Sequence, residues 1–243
     1  MNILPPILAN YGDDLIDGFI ITLQLVALSV SLGMVLGALL AAGRMSSWRG
    51  VRALTWIYVN LFRGTPLLAQ LFLIYYGAGQ FFGFWRDVGL WWFLREPFNC
   101  AVLAFTLNTA AYQAEIFRGA VQAVPKGQWE GGSALGLPRH LVFLRVVLPQ
   151  ASLYALRPFG NEIILMIKGS AVASVVTVYD LMGETRLVYS DTFRFDVYFY
   201  AAFLYLVLVE TLRRVWNRLE ARLTRHLKRQ PDTKTKITQA APA

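Results

Sequence analysis

The sequence predicts an all-α polytopic membrane protein of about five transmembrane helices, its amino terminus outside and its carboxyl terminus inside. Three observations carry that class. Of 243 residues, 56% are hydrophobic and only 16% are charged, against roughly 25% charged in soluble domains. The apolar residues gather in runs long enough to cross about 30 Å of hydrocarbon, which takes roughly 20 residues of helix. Lysine and arginine collect in alternate gaps between those runs, as they do in loops kept in the cytoplasm.

The first run, Leu15 to Gly43, is interrupted only by Thr22, Gln24 and two serines, and its Gly33 and Gly37 form a G-x-x-x-G pair suited to close helix packing. No basic stretch and small-residue cleavage site precede it, so it reads as a retained anchor behind a periplasmic segment, residues 1–14. The second run, Ala53 to Phe82, contains Arg63-Gly64-Thr65-Pro66. A proline there removes an amide donor and crowds the preceding turn, which predicts a break. Phe98 to Val121, Ser152 to Asp180 and Val197 to Trp216 supply the third, fourth and fifth runs. Trp56, Trp85, Trp91, Trp92 and Trp216 stand where interfacial anchors belong.

Orientation follows from charge. Arg44, Arg49 and Arg52, then Arg118, Lys126, Arg139, Arg145 and Arg157, then the basic carboxyl-terminal segment 221–243 all fall on one side. The opposite side has few arginines and most of the acidic residues, among them Asp13, Asp14, Asp17, Asp180 and Glu184. Five crossings satisfy this asymmetry, whereas four or six do not. The tail from Arg229 onward has the composition of a disordered segment. A net charge of +8 placed beside apolar runs is a topology signal, so a nucleic-acid partner is not expected. Cys100 is the only cysteine, and His140 and His226 are far apart, so neither a disulfide nor a metal site is expected.

The cytoplasmic connection between the third and fourth runs, residues 123–150, carries its own pattern. Lys126 to Leu135 can form a short helix, Gly136 is placed to stop it, and Pro138 to open a second that runs to a break at Pro149. Glu130-Gly131-Gly132, three residues, Gly136, nine residues, then Val146-Val147-Leu148-Pro149 resembles the E-A-A-x3-G-x9-I-x-L-P signature of ABC-importer permeases. The stretches Phe62 to Leu67, Leu107 to Tyr112, Ala114 to Gly119 and Asn161 to Met166 are similar to the polar amino-acid branch of that family, which moves histidine, lysine, arginine, ornithine and opines.

The resemblance implies a membrane domain over residues 15–220 with a five-helix core, a second permease that is a related chain or another copy, two ABC ATPase subunits and a periplasmic binding protein. It also implies that the loop docks on the ATPase through Gln128, Trp129, Glu130, Gly131, Gly132, Ala134, Leu135 and Gly136. Glycines at 131 and 132 stand where alanines are usual, at a cost of roughly 1 kcal/mol each in helix propensity, which predicts a pliable coupling helix. No G-x-x-x-x-G-K-[ST] loop occurs and Gly-Lys appears nowhere. The chain is therefore expected to bind no cofactor and to feel ATP only through its partner.

Arg63, Glu162 and Lys168 lie inside apolar runs, where each charge costs about 2.5 to 3.5 kcal/mol on insertion scales. An amino-acid zwitterion needs a cation for its carboxylate and a carboxylate or carbonyls for its ammonium. Arg63 and Lys168 suit the first role and Glu162 the second, with Asn161, Asn60 and Thr65 adding hydrogen bonds. The bland alternative is that Glu162 and Lys168 neutralise one another or pair across the permease dimer, with Arg63 bonding carbonyls freed by Pro66. Glu162 and Lys168 stand about 240° apart on an ideal helix, which disfavours their direct pairing. Glu115 and Arg118 are spaced to bridge on a helix surface, as is Glu210 with Arg213 or Arg214. An ion-coupled secondary transporter would use the same charges but leaves the loop signature unexplained. A membrane enzyme lacks any nucleophile or metal constellation.

Overall fold

The computed structural model describes residues 6–225, and all of its regular structure is helical. The disordered tail expected from Arg229 onward lies outside the described residues. Helix α1 (Pro6–Arg44) begins inside the segment expected to precede the first span. It packs most extensively on α6 (Pro97–Ala123). The glycine pair explains why. A Cβ on Gly33 would come to 2.5 Å from Thr109 Cγ2, and one on Gly37 to 2.9 Å from Gln113 Cβ, so the two backbones approach as only small residues allow.

Helix α6 is the axis of the bundle. Its residues from Cys100 to Ala114 are buried on nearly every side, so it can carry Asn108, Thr109 and Gln113: polar groups in a spanning helix face protein, not lipid. Helices α2 (Arg49–Gly64) and α3 (Leu67–Gln80) meet at 104°, the break that Pro66 predicts. Two short helices, α4 (Phe82–Asp87) and α5 (Trp91–Leu94), lead into α6. Then come α7 (Lys126–Ala134), α8 (Arg139–Val142), α9 (Leu148–Gly169), α10 (Leu181–Thr192) and the peripheral α11 (Val197–Leu223). Among the described residues, two helices are long and apolar enough to cross a membrane, Asn10–Arg44 and Arg139–Val176; the bent α2–α3 pair makes a third if it is one span. Helices α6 and α11, of 27 residues each, have the length but a more polar composition.

One expectation fails. The break at Pro149, and with it a separate second helix in the loop, does not occur, because the chain stays helical from Arg139 to Val176. A π-helical turn, Phe143–Val147, joins α8 to α9, and the Leu148 amide bonds the Phe143 carbonyl five residues back. The slip in register puts Pro149 in the first turn of α9, where its missing donor is not needed. Trp216, expected as an interfacial anchor, is also a packing residue. Its Nε1 donates to the Leu156 carbonyl at 2.8 Å, and its ring occupies the notch that Gly160 leaves without a Cβ.

Candidate functional site

The site starts from a missing hydrogen bond. In a continuous helix the Phe62 carbonyl would accept from the amide of residue 66, and Pro66 has none. Thr65, the residue before the proline, is extended at φ −114° and ψ 146°, as the proline ring favours. The Phe62 carbonyl instead takes two side-chain amides, Gln70 Nε2 at 2.9 Å and Asn108 Nδ2 at 3.1 Å. Gln70 Nε2 also reaches the Thr65 carbonyl at 3.1 Å and hydroxyl at 2.7 Å, while its Oε1 accepts from Asn108 at 3.0 Å. The Thr65 hydroxyl donates back to the Leu61 carbonyl at 2.7 Å.

This amide clamp overturns the idea that Arg63 serves the freed carbonyls. Arg63 is exposed on the surface of the chain, with its guanidinium carbon 5.3 Å from the centroid of the Tyr112 ring on α6. Such a contact is attractive through the ring quadrupole. The other charge expected here, Glu162 on α9, is only 7% exposed. Its Oε1 accepts from the Thr109 hydroxyl at 2.9 Å. Thr109 accepts in turn from Gln113 Nε2 at 3.1 Å, which also approaches the Val30 carbonyl at 3.3 Å.

Of the sequence-predicted residues, Arg63 and Glu162 thus both rest on α6. Asn161 and Lys168 are on exposed faces of α9. Glu162 points at Thr109 rather than Lys168, and Gly169 beside Lys168 faces Leu67, its Cβ position 3.6 Å from Leu67 Cδ2, at the start of α3. Asn60 Nδ2 donates to the Trp56 carbonyl of its own helix at 2.8 Å, and Thr65 is engaged as above. Reading the sequence missed Gln70, Asn108 and Thr109. The signal was available: Pro66 orphans the Phe62 carbonyl, and buried carbonyls find donors.

The loop between α6 and α9 forms a second candidate element. Helix α7 ends in a Schellman motif: the Gly136 amide bonds the Ser133 carbonyl at 3.0 Å and the Leu137 amide bonds that of Gly132 at 3.2 Å. Gly136 has φ +74°, a left-handed value that glycine takes without strain. Leu137 packs into the apolar cluster beneath. Gly132 is buried and faces Val142, with a Cβ there coming to 2.7 Å from Val142 Cγ2. The pliable helix expected from two glycines is therefore corrected at Gly132, which is a packing requirement; Gly131 faces open space. Trp129 stacks on Phe143, Gln128 accepts from Gln150 at 3.3 Å, and Ala134 is exposed. Leu135, 80% exposed, is the bare apolar knob of the loop. Glu130 joins Lys126, Trp129, Ser133, Arg139 and Val142 around a cleft of about 490 Å³. Behind the loop Glu115 bridges to Arg118 at 2.6 Å, as its spacing predicts, and also to Arg44 at 3.1 Å.

Residues 33–226 match the model of the binding-protein-dependent transport system inner membrane component. The chain belongs to that family. It is 41% identical over 208 residues to the nopaline transport system permease protein NocM of Agrobacterium fabrum, covering 85% of this chain and 86% of the relative. It is 38% identical over 215 residues to the arginine ABC transporter permease protein ArtM of Haemophilus influenzae, with 88% and 94% covered. A chain from the crystal structure of an amino acid ABC transporter with histidines superposes with a TM-score of 0.82 at 35% identity, covering 91% of this chain and 100% of that one. This inner membrane component is accordingly a permease subunit and not an enzyme.

Proposed function

We propose that this permease carries amino acids inward, the basic ones and the related opines foremost, driven by a separate ATPase and fed by a periplasmic binding protein. The observation that supports this best is the pair of opposite charges that pack against α6: Arg63 of α2, over Tyr112 at a broken helix, and Glu162 of α9, buried against Thr109. Broken helices and intramembrane ions are what transporters offer to charged ligands near the midplane. The nopaline and arginine permeases among its relatives point to the same class.

Arg63, with Lys168, receives the substrate carboxylate; Glu162 receives the ammonium or a cationic side chain; Asn161, Asn60 and Thr65 add hydrogen bonds. Five crossings with the amino terminus outside put α7 on the cytoplasmic face. Two permeases, copies or related chains, seat on two ATPases. ATP-driven closure then pushes α7 through Glu130, Leu135 and their neighbours, opens the spans outward, and hydrolysis resets them.

Uptake of radiolabelled arginine and octopine into proteoliposomes holding the permease, its ATPase and binding protein tests the reading. Uptake is expected to stop without ATP and to survive collapse of the proton gradient; the reverse supports an ion-coupled carrier. Glu162→Gln is expected to lower arginine uptake in a complex that assembles normally, and unchanged kinetics would take Glu162 out of the site. For docking, a cysteine at Leu135 or Gly131 is expected to cross-link to the ATPase. Gly132 does not suit that test, because its Cβ position is filled by Val142.

A further inference from the structure

We infer that Asn108 and Thr109, adjacent on α6, are positioning residues that set the separation of the two charges and so decide which substrates fit; the inference rests on the reading that Arg63 and Glu162 meet the substrate. Neighbouring residues on a helix point about 100° apart, and here each reaches a different charge-bearing element. Asn108 Nδ2 holds the Phe62 carbonyl at 3.1 Å and Gln70 Oε1 at 3.0 Å, one peptide from Arg63. Thr109 Oγ1 holds the Glu162 carboxylate itself at 2.9 Å. One turn after Asn108, Tyr112 lies under the Arg63 guanidinium.

Both residues are buried, at 7% and 0% exposure, and the Asn108 amide nitrogen and the Thr109 hydroxyl are engaged by protein partners. They act through Arg63 and Glu162 rather than on the ligand. The platform is stiff: the Gln113 amide that supports Thr109 also reaches the Val30 carbonyl of α1, and α1 is pressed onto the same stretch of α6 at Gly33 and Gly37. A fixed spacing between cation and carboxylate matches a ligand whose own charges stand at a fixed separation, which is how a site discriminates by geometry as well as by charge.

The test uses the purified permease–ATPase complex and three ligands: arginine, agmatine, which lacks the carboxylate, and citrulline, which lacks the side-chain cation. Thr109→Val is expected to cut arginine binding about tenfold, the loss of one hydrogen bond to a charged group, and to erase the preference for arginine over citrulline while keeping that over agmatine. Asn108→Leu is expected to do the converse. Thr109→Ser restores binding. If Thr109→Val fails to assemble, Thr109→Cys replaces it. Equal losses for all three ligands mean a merely structural role and overturn the inference. So does wild-type binding in both variants while Arg63→Ala and Glu162→Gln lose it. Wild-type binding in those last two overturns the site reading itself.

Discussion

Two prolines in apolar surroundings meet opposite fates. At Pro66 the chain turns by 104°; at Pro149 it runs on as helix. The ring chemistry is the same, so the difference lies in where the orphaned backbone groups go. Around Pro66 the Gln70 and Asn108 amides take the Phe62 carbonyl, and the extended Thr65 conformation has everything it needs. Around Pro149 the adjacent Gln150 amide takes the Val146 carbonyl at 2.9 Å, and no bend follows. A five-residue π-helical turn shifts the register, so that the proline arrives at a helix start. A proline marks a backbone problem, and the neighbouring side chains choose between bend and bulge.

The contrast can be broken most directly at Gln70. Replacing it with Leu strips side-chain donors from the Phe62 and Thr65 carbonyls and is expected to cost on the order of 3 kcal/mol, read as a lower unfolding temperature of the detergent-solubilised complex. Wild-type stability would mean that the bend needs no clamp. A smaller effect, about 2 kcal/mol from overpacking, is expected for Gly160→Leu. That change drives Trp216 off the Leu156 carbonyl beside Pro158, another proline that α9 absorbs; the same melt, with indole fluorescence shifting to the red, checks it.

Gly132→Ala is expected to cost about 1 kcal/mol by crowding Val142, whereas Gly131→Ala, in open space, should gain up to about 1 kcal/mol in helix propensity. Equal effects at the two positions would refute the packing role of Gly132. Pro149→Ala is expected to change stability by no more than about 0.5 kcal/mol and to leave uptake intact. A large loss there would mean that the proline, not the register slip, shapes the loop.

Much of this was legible in the sequence. Gly33 and Gly37 announced a close helix contact, Pro66 a break, Gly136 a helix stop, and Glu115 with Arg118 a bridge; each is a local rule carried by one or two residues. Asn108 and Thr109 were visible only as part of a motif, because their partners are 46 and 53 positions away in the chain. Gly132 read as a helix weakness for the same reason, since Val142 defines its role across a turn. Trp216 carried the composition signal of an interface residue, and nothing short of the packed α9–α11 pair reveals the notch that receives it.

By itself, then, the chain of residues determined that this is a helical membrane permease, that a helix breaks at Pro66 and another stops at Gly136, and which charges lie among apolar neighbours. Local propensity and hydrophobic length suffice for those, because they depend on residues a few positions apart. Only the tertiary structure decided which helix becomes the axis, how the Pro66 bend is held, and that one helical turn of α6 meets both opposite charges, Arg63 of α2 and Glu162 of α9. Those outcomes hang on hydrogen bonds and close packing between segments distant in sequence, and such bonds form only once the whole bundle has excluded its solvent.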